Sequence, residues 1–129
     1  MRWYLRFLAV CLLLWTGLAG LAQAHELQPS SMELRQLTSE RFEVIWRAPV
    51  YYRKPHPAQL QLPDNWEAVG EPTVKQLPDS ALHRHVINVP GGVIDGAVIR
   101  FPGLESTITD EFARFVWLDG SETTTIARP

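Results

Sequence analysis

Cysteine is nearly missing from this sequence. The one cysteine among its 129 residues is Cys11, which lies inside an apolar stretch near the start of the chain. The rest of the chain therefore offers no disulfide, no thiol nucleophile and no thiolate metal ligand. A domain formed by that part of the chain must be held together by its hydrophobic core.

Long hydrophobic runs are also scarce, and the one present is short. Phe7–Leu21 is an apolar run of about 15 residues, below the roughly 20 that a transmembrane helix needs. Arg2 and Arg6 flank its start, and Ala22-Gln23-Ala24 follows it as a small-residue cleavage site. These parts predict a signal-peptide helix over residues 1–24 and an exported protein, periplasmic or on the outer face of the cytoplasmic membrane. An uncleaved anchor is the alternative.

Excess basic charge is the third absence. Cleavage would remove Arg2 and Arg6, so the twelve Lys and Arg become ten against fourteen Asp and Glu, a formal charge of −4. The charged residues are scattered rather than clustered, and this pattern gives no electrostatic footprint for nucleic acid. The predicted mature chain, residues 25–129, has the length of one small domain that can fold alone.

Strand patterns dominate the predicted mature chain, and helical periodicity is almost absent. Apolar and polar side chains alternate in SMELRQL and RFEVIWR, so Phe42, Val44 and Trp46 share one face. Further strands are predicted in AQLQL, LHRHVINV and GAVIRF. Ten prolines punctuate the chain, and proline is excluded from central strands. About seven short strands predict an all-β fold, an antiparallel immunoglobulin-like β-sandwich, with a small barrel as the alternative.

The clearest predicted unit is a hairpin formed by EFARFVWL and SETTTIA around Asp119-Gly120, which favours a type I′ turn. The preceding TDEFARF could start a helical turn capped by Thr109, but it leads straight into the hairpin and is predicted to be strand. Asp110 and Glu111 are adjacent on this strand, so their side chains point to opposite faces. Both are predicted to belong to a solvated strand start.

The predicted mature start, AHELQPSSMELRQLTSERFEVIWRAPV, resembles the soluble N-terminal region of HupE/UreJ-family membrane proteins. That region has a His-Glu-x-x-Pro segment, an alternating strand and a strand ending in Trp-x-x-Pro. The later stretch VPGGVIDGAVIRFPGLESTITDEFARFVWLDGS is similar to the same family in its Pro-Gly-Gly, Gly-Leu, Thr-x-Thr-Asp and Asp-Gly elements. The matching residues are His25, Glu26, Pro29, Leu34, Phe42, Val44, Trp46, Pro49, Pro90, Gly91, Gly92, Gly96, Ile99, Gly103, Leu104, Thr107, Thr109, Asp110 and Gly120.

The resemblance covers nearly all of residues 25–129 and implies a non-catalytic extracytoplasmic module that contacts a membrane partner or presents a metal. Members of the family often carry a cysteine pair, whereas this chain has Val89 at one position and Asn65-Trp66 near the other. The resemblance therefore implies a disulfide replaced by packing. The family's membrane part, which is linked to nickel movement, would follow Ala127-Arg128-Pro129. Without that part, no transport activity is expected of this sequence.

Histidines are the candidate metal ligands. His25 would be the first mature residue, where its α-amine and imidazole can form a chelate for Cu(II), Ni(II) or Zn(II). His83 and His85 are two apart on a predicted strand, so both point to the same face together with Ile87. Copper or nickel is the cofactor considered for these three histidines, and His56 is a further candidate ligand. The structural alternatives are an accident of cleavage and a surface histidine pair.

No catalytic constellation is present in the sequence, and the chain is predicted not to be an enzyme. No serine lies in a Gly-x-Ser-x-Gly setting, no glycine-rich loop precedes a helix, and no small-molecule substrate is identified. The candidate contact for a membrane protein partner is Tyr51, Tyr52 and Arg53, because these residue types are enriched at interfaces. The alternative is that the tyrosines belong to the core and the sheet edge. The alternative function is a free-standing periplasmic copper-binding protein that uses His25 with His83 or His85.

Overall fold

The protein is all-β in a computed structural model that describes residues 1–8, 29–51 and 53–129. Residues 2–8 are helical, and the rest of the predicted signal peptide lies outside the described residues. The strands are β1 (Ser30–Gln36), β2 (Arg41–Tyr51), β3 (Lys54–Pro55), β4 (Glu67–Gln76), β5 (Ser80–Asn88), β6 (Glu111–Val116) and β7 (Glu122–Ala127). The all-β class expected from the strand patterns is confirmed.

All of these strands belong to one sheet. Its order is β4-β5-β2-β1-β6-β7, and β3 pairs with the end of β2. Neighbouring strands are antiparallel except β1 and β6, which run parallel with Ser30 opposite Glu111. The first strand therefore lies inside the sheet, and β4 and β7 form its two edges.

The alternation of side chains sets which face of the sheet is buried. Met32 and Leu34 in β1 are each 1% exposed, and Phe42, Val44 and Trp46 in β2 are buried beside them. Because successive side chains of a strand point to opposite faces, the charged residues between them point to the outer face. The core face predicted for β1 and β2 is confirmed, and we call it the inner face of the sheet.

Two loop segments, residues 57–66 and 89–109, cover this inner face. They pair through Gln61 and Arg100, whose backbone N–H groups each donate to the other residue's carbonyl oxygen, at 2.8 and 3.0 Å. Gly103 (φ 90°) lies against the other segment, where an added Cβ would be 2.4 Å from the carbonyl oxygen of Pro57. The apolar side chains that these segments pack against the core are Leu60, Leu62, Ile94, Ile99 and Phe101.

The structure differs from the predicted strands in three places. AQLQL and GAVIRF form only an isolated bridge between Gln61 and Arg100 rather than two strands. β4 was not predicted, because EAVGEPTVKQ contains Gly70 and Pro72. The strand tolerates both because it is an edge strand, where a missing proline N–H leaves no ladder bond unmade, and because its register with β5 shifts between Val69 and Thr73.

The hairpin of β6 and β7 is confirmed, but the predicted type I′ turn is wrong. The backbone N–H of Trp117 donates to Ser121 at 3.0 Å, and the N–H of Gly120 donates back to Trp117 at 3.0 Å. Gly120 has φ 84°, whereas Asp119 is not among the positive-φ residues, although a type I′ turn requires two of them. The loop therefore has three residues, and Asp119 Oδ1 closes it by accepting the Ser121 N–H at 2.8 Å.

Candidate functional site

His83 and His85 lie side by side on the inner face of β5. The antiparallel register of β2 and β5 places His83 opposite Trp46 and His85 opposite Val44. Ile87 is buried on the same face of the strand, so the shared orientation predicted for these three residues agrees with the register. The two histidines are half-buried rather than exposed on an outer surface.

A groove of about 400 Å³ opens above this histidine pair. The imidazole of His83 lies against the indole of Trp46, with ring centroids 5.0 Å apart and ring planes tilted by 34°. This contact places His83 beside the buried indole of Trp46. His85 lies two residues farther along β5. The groove, called the histidine groove below, is lined by Trp46, Gln59, Leu60, Leu62, Pro72, His83 and His85.

The surroundings of His85 favour the neutral imidazole. Burial lowers the pKa of His85 below its ordinary value, and the charge of His83 lowers it further. A neutral imidazole has a free nitrogen lone pair, which is the form that coordinates a metal ion. In the described part of the chain, no group of three or more His, Cys, Asp or Glu residues could hold a metal ion. The histidine groove therefore offers two imidazoles to a metal.

The remaining predicted ligands do not join this pair in the described structure. His25 lies outside the described residues. His56 is 7% exposed and is not part of the histidine groove. Its Nδ1 accepts the Ala58 N–H at 3.2 Å, and burial lowers the pKa of its imidazole. This hydrogen bond joins His56 to the start of the covering segment 57–66.

The predicted partner contact is described only in part. Tyr51 ends β2, and Tyr52 lies outside the described residues. Arg53 is exposed and has φ 61°, the left-handed conformation that non-glycine residues seldom adopt. It occupies the tight turn between β2 and β3, where Tyr51 pairs with Lys54. This turn presents the Arg53 side chain to solvent.

Glu111 is the notable residue that the sequence prediction placed wrongly. Instead of lying in a solvated strand start, it is 0% exposed on the inner face of β6, opposite the equally buried Ser30. No hydrogen bond of ordinary geometry reaches either carboxyl oxygen within the described structure. Burial raises the pKa of Glu111 to about 8, although the indole N–H of Trp46 opposes this shift. Glu111 therefore keeps its proton at neutral pH.

In the sequence of β6, either of two alternating sets of side chains could be the buried set. Glu111, Ala113 and Phe115 share one face of the strand, and Phe112 and Arg114 share the other. The adjacent carboxylates Asp110 and Glu111 favour a solvated strand start when only the sequence is considered. The parallel pairing with β1 instead turns Glu111 inward with Ala113, because Phe115 on the same face packs against the core.

A second groove, of about 480 Å³, lies between β7 and the covering loops. Its walls are mainly apolar and include Trp66, Phe101, Phe115 and Trp117. Thr123 and Thr125 of the edge strand β7 form its outer border. This opening, called the edge groove below, contains no histidine and offers shape and apolar contact rather than metal ligands.

Comparison with known protein families, with characterised proteins and with solved structures found no match to this chain. Over residues 1–8, 29–51 and 53–129, the structure has no helix both long enough and apolar enough to cross a membrane.

Proposed function

We propose that this protein is an exported, non-catalytic module that binds a copper or nickel ion in the histidine groove and presents it to a membrane partner. The observation that carries the proposal is the placement of His83 and His85. Both imidazoles are on the inner face of β5, and the opening above them borders both side chains.

The chemistry of the groove supports a borderline metal ion. Imidazole nitrogen suits copper, nickel and zinc, whereas calcium and magnesium prefer oxygen ligands. The lowered pKa of His85 keeps one ligand neutral, and Gln59 adds an amide to the lining. When bound, the ion would act as a Lewis acid held by His83 and His85.

The small number of ligands supports presentation rather than permanent storage. A closed structural site surrounds its ion with four protein ligands, whereas the described part of the chain offers no group of three or more metal-ligating side chains. A donor from another molecule could therefore complete the coordination through the open side of the groove. Such a donor would contact Leu60 and Leu62, which are part of the lining of the groove.

The proposal includes an immunoglobulin-like sandwich arrangement and export by a cleaved signal peptide. The sandwich is supported by the two covering segments, which pair with each other across Gln61 and Arg100 and pack on the inner face. Export is supported by the charged start, the short apolar run and the Ala22-Gln23-Ala24 junction. The exposed Arg53 turn is the candidate contact for the membrane partner.

Calorimetric titration of the purified protein with Cu(II) and with Ni(II) tests the metal site. We expect one ion per chain and a loss of affinity of at least about tenfold in both His83→Ala and His85→Ala. Arg84→Ala is the matched control, because Arg84 lies between the two histidines but points to the outer face. Equal affinity in the histidine variants and the native protein would remove this function.

The second candidate function is a free-standing copper-binding protein that uses the amine and imidazole of His25. It is favoured by the position of His25 directly after the predicted cleavage site. Intact mass of the exported protein shows whether the chain begins there. Adding one residue before His25 separates the α-amine from the imidazole, so copper affinity should fall in the extended variant. The histidine groove predicts instead that the extension leaves affinity unchanged.

A further inference from the structure

The two edges of the sheet are built differently. β4 is interrupted by Gly70 (φ 80°), by Pro72, which has no N–H, and by a register shift between Val69 and Thr73. Interruptions of this kind stop a second strand from adding to a sheet edge. β7 has no proline, no lysine and an unbroken register with β6. The β7 edge is therefore open to another strand.

The hairpin determines which backbone groups of β7 face outward. The N–H of Trp117 donates to the carbonyl oxygen of Ser121, so these two residues occupy a hydrogen-bonded position. Such positions alternate with non-hydrogen-bonded ones along an antiparallel ladder. Glu122, Thr124 and Ile126 therefore direct their N–H and C=O groups away from β6 and toward the open edge. Any strand that adds here must bond to these three residues.

We propose that a second copy of this chain adds to the β7 edge, antiparallel and about a two-fold axis that passes beside Thr125. In this register, Thr124 of each copy exchanges hydrogen bonds with Ile126 of the other copy. Each outward-facing N–H and C=O group of Thr124 and Ile126 then has a hydrogen-bond partner in the other copy. The two sheets become one continuous sheet, in an isologous interface.

Charge complementarity selects this register among those that the backbone allows. Centred on Thr125, the pairing places Glu122 opposite Arg128 of the other copy, twice by symmetry. Centred on Thr124, it would place Glu122 opposite Ile126 and Arg128 opposite Gly120, with no opposite charges facing each other. Directly opposed unlike charges stabilise a strand pair, so the Thr125 register is favoured.

Side-chain contacts on both faces agree with this arrangement. On the outer face, Glu122 already forms an ion pair with Arg114, and Arg128 of the second copy would extend it. Ile126, which is 47% exposed in the single chain, gains an apolar and β-branched neighbourhood. On the inner face, Thr125 meets its own counterpart, and the edge grooves of the two copies come to lie next to each other across the axis.

Disulfide trapping tests the register directly. In a Cys11→Ser background, Thr125→Cys places two thiols in a non-hydrogen-bonded pair, where Cα atoms are about 4.5 Å apart and a disulfide can form. Thr123→Cys is the matched control on the same face of β7. Its two copies would be displaced by four residues, about 13 Å along the strand. We expect oxidation to give a covalent dimer of the Thr125→Cys protein alone.

Sedimentation velocity over a range of concentrations measures the association itself. We expect a concentration-dependent dimer in the native protein and a monomer in Thr124→Pro, because proline removes an outward N–H without breaking the ladder to β6. Unchanged cooperative unfolding of that variant shows that its fold is intact. A native protein that stays monomeric, a dimer that persists in folded Thr124→Pro, or trapping at position 123 rather than 125 overturns the proposal.

Discussion

Replacing Glu111 with glutamine is expected to stabilise the protein increasingly as pH rises. The carboxyl group is fully buried, and its pKa is raised from 4.5 to about 8. Glutamine has nearly the same shape but carries no titrating proton. The substitution therefore removes the titrating group without opening a cavity in the core.

The sign and size of the effect follow from proton binding. Between pH 4.5 and about 8 the folded protein retains a proton on Glu111 that the unfolded chain has released. The stability of the native protein therefore falls as pH rises through this range. A tenfold difference in proton affinity corresponds to about 1.4 kcal/mol, which gives a cost of about 3 kcal/mol at pH 7 and about 5 kcal/mol above pH 8. Below pH 4.5 the cost disappears.

Urea unfolding of the native protein and the Glu111→Gln variant at several pH values is the assay. The difference in unfolding free energy is expected to be smallest near pH 4 and to grow toward pH 8. Asp110→Asn is the matched control, because it removes one negative charge at the neighbouring, partly exposed position. Parallel stability curves for the native protein and Glu111→Gln would refute the buried, neutral carboxyl group.

Three further predictions concern packing and the histidine groove. Gly103→Ala should destabilise the fold by several kcal/mol, since its Cβ would be 2.4 Å from a backbone oxygen. Gly70 has a similar φ but open space around it, so Gly70→Ala should cost only about 1 kcal/mol. Equal losses of stability for the two variants in thermal unfolding would contradict the close approach at Gly103. Leu34→Ala at a 1% exposed position should cost about 2–5 kcal/mol, and Leu37→Ala at a 43% exposed position should cost under about 1 kcal/mol in urea unfolding. The NMR titration midpoint of the His85 ring should lie below 6.5; a midpoint at or above that value would show that His85 is more solvated than its burial indicates.

The part of the fold that the sequence predicted well is the part with regular alternation. In the middle of β1 and along β2 every second residue is apolar, so Met32, Leu34 and Val44 could be assigned to the core without tertiary information. The β6–β7 hairpin was predicted for a related reason, since Asp-Gly is a local turn signal. Its turn type was not, because Asp119 prefers to accept hydrogen bonds from Ser121 over adopting a positive φ.

The remaining features depend on the tertiary arrangement. Gly70 and Pro72 interrupt the pattern of β4, and its position at the sheet edge together with its register shift makes them acceptable. Burial of Glu111 depends on the pairing of β6 with β1, a strand far away in the sequence. The alternation in β6 puts Glu111 on one face with Ala113 and Phe115, but it does not show which of the two faces is buried. The shared face of His83 and His85 was predicted from strand geometry, but the opening above them requires the covering loop to be in place.

The parallel pairing of β1 with β6 has a consequence for how the chain acquires its structure. Ser30 begins the first strand and Glu111 begins the sixth, yet the two are direct neighbours. Pairings between such distant residues form slowly, because a long loop must close before any contact rewards it. A chain that emerges from its N-terminal end leaves one side of β1 unpaired until β6 arrives. The sheet is therefore completed late, and the half-formed sheet exposes an apolar face to chaperones and to other unfinished chains.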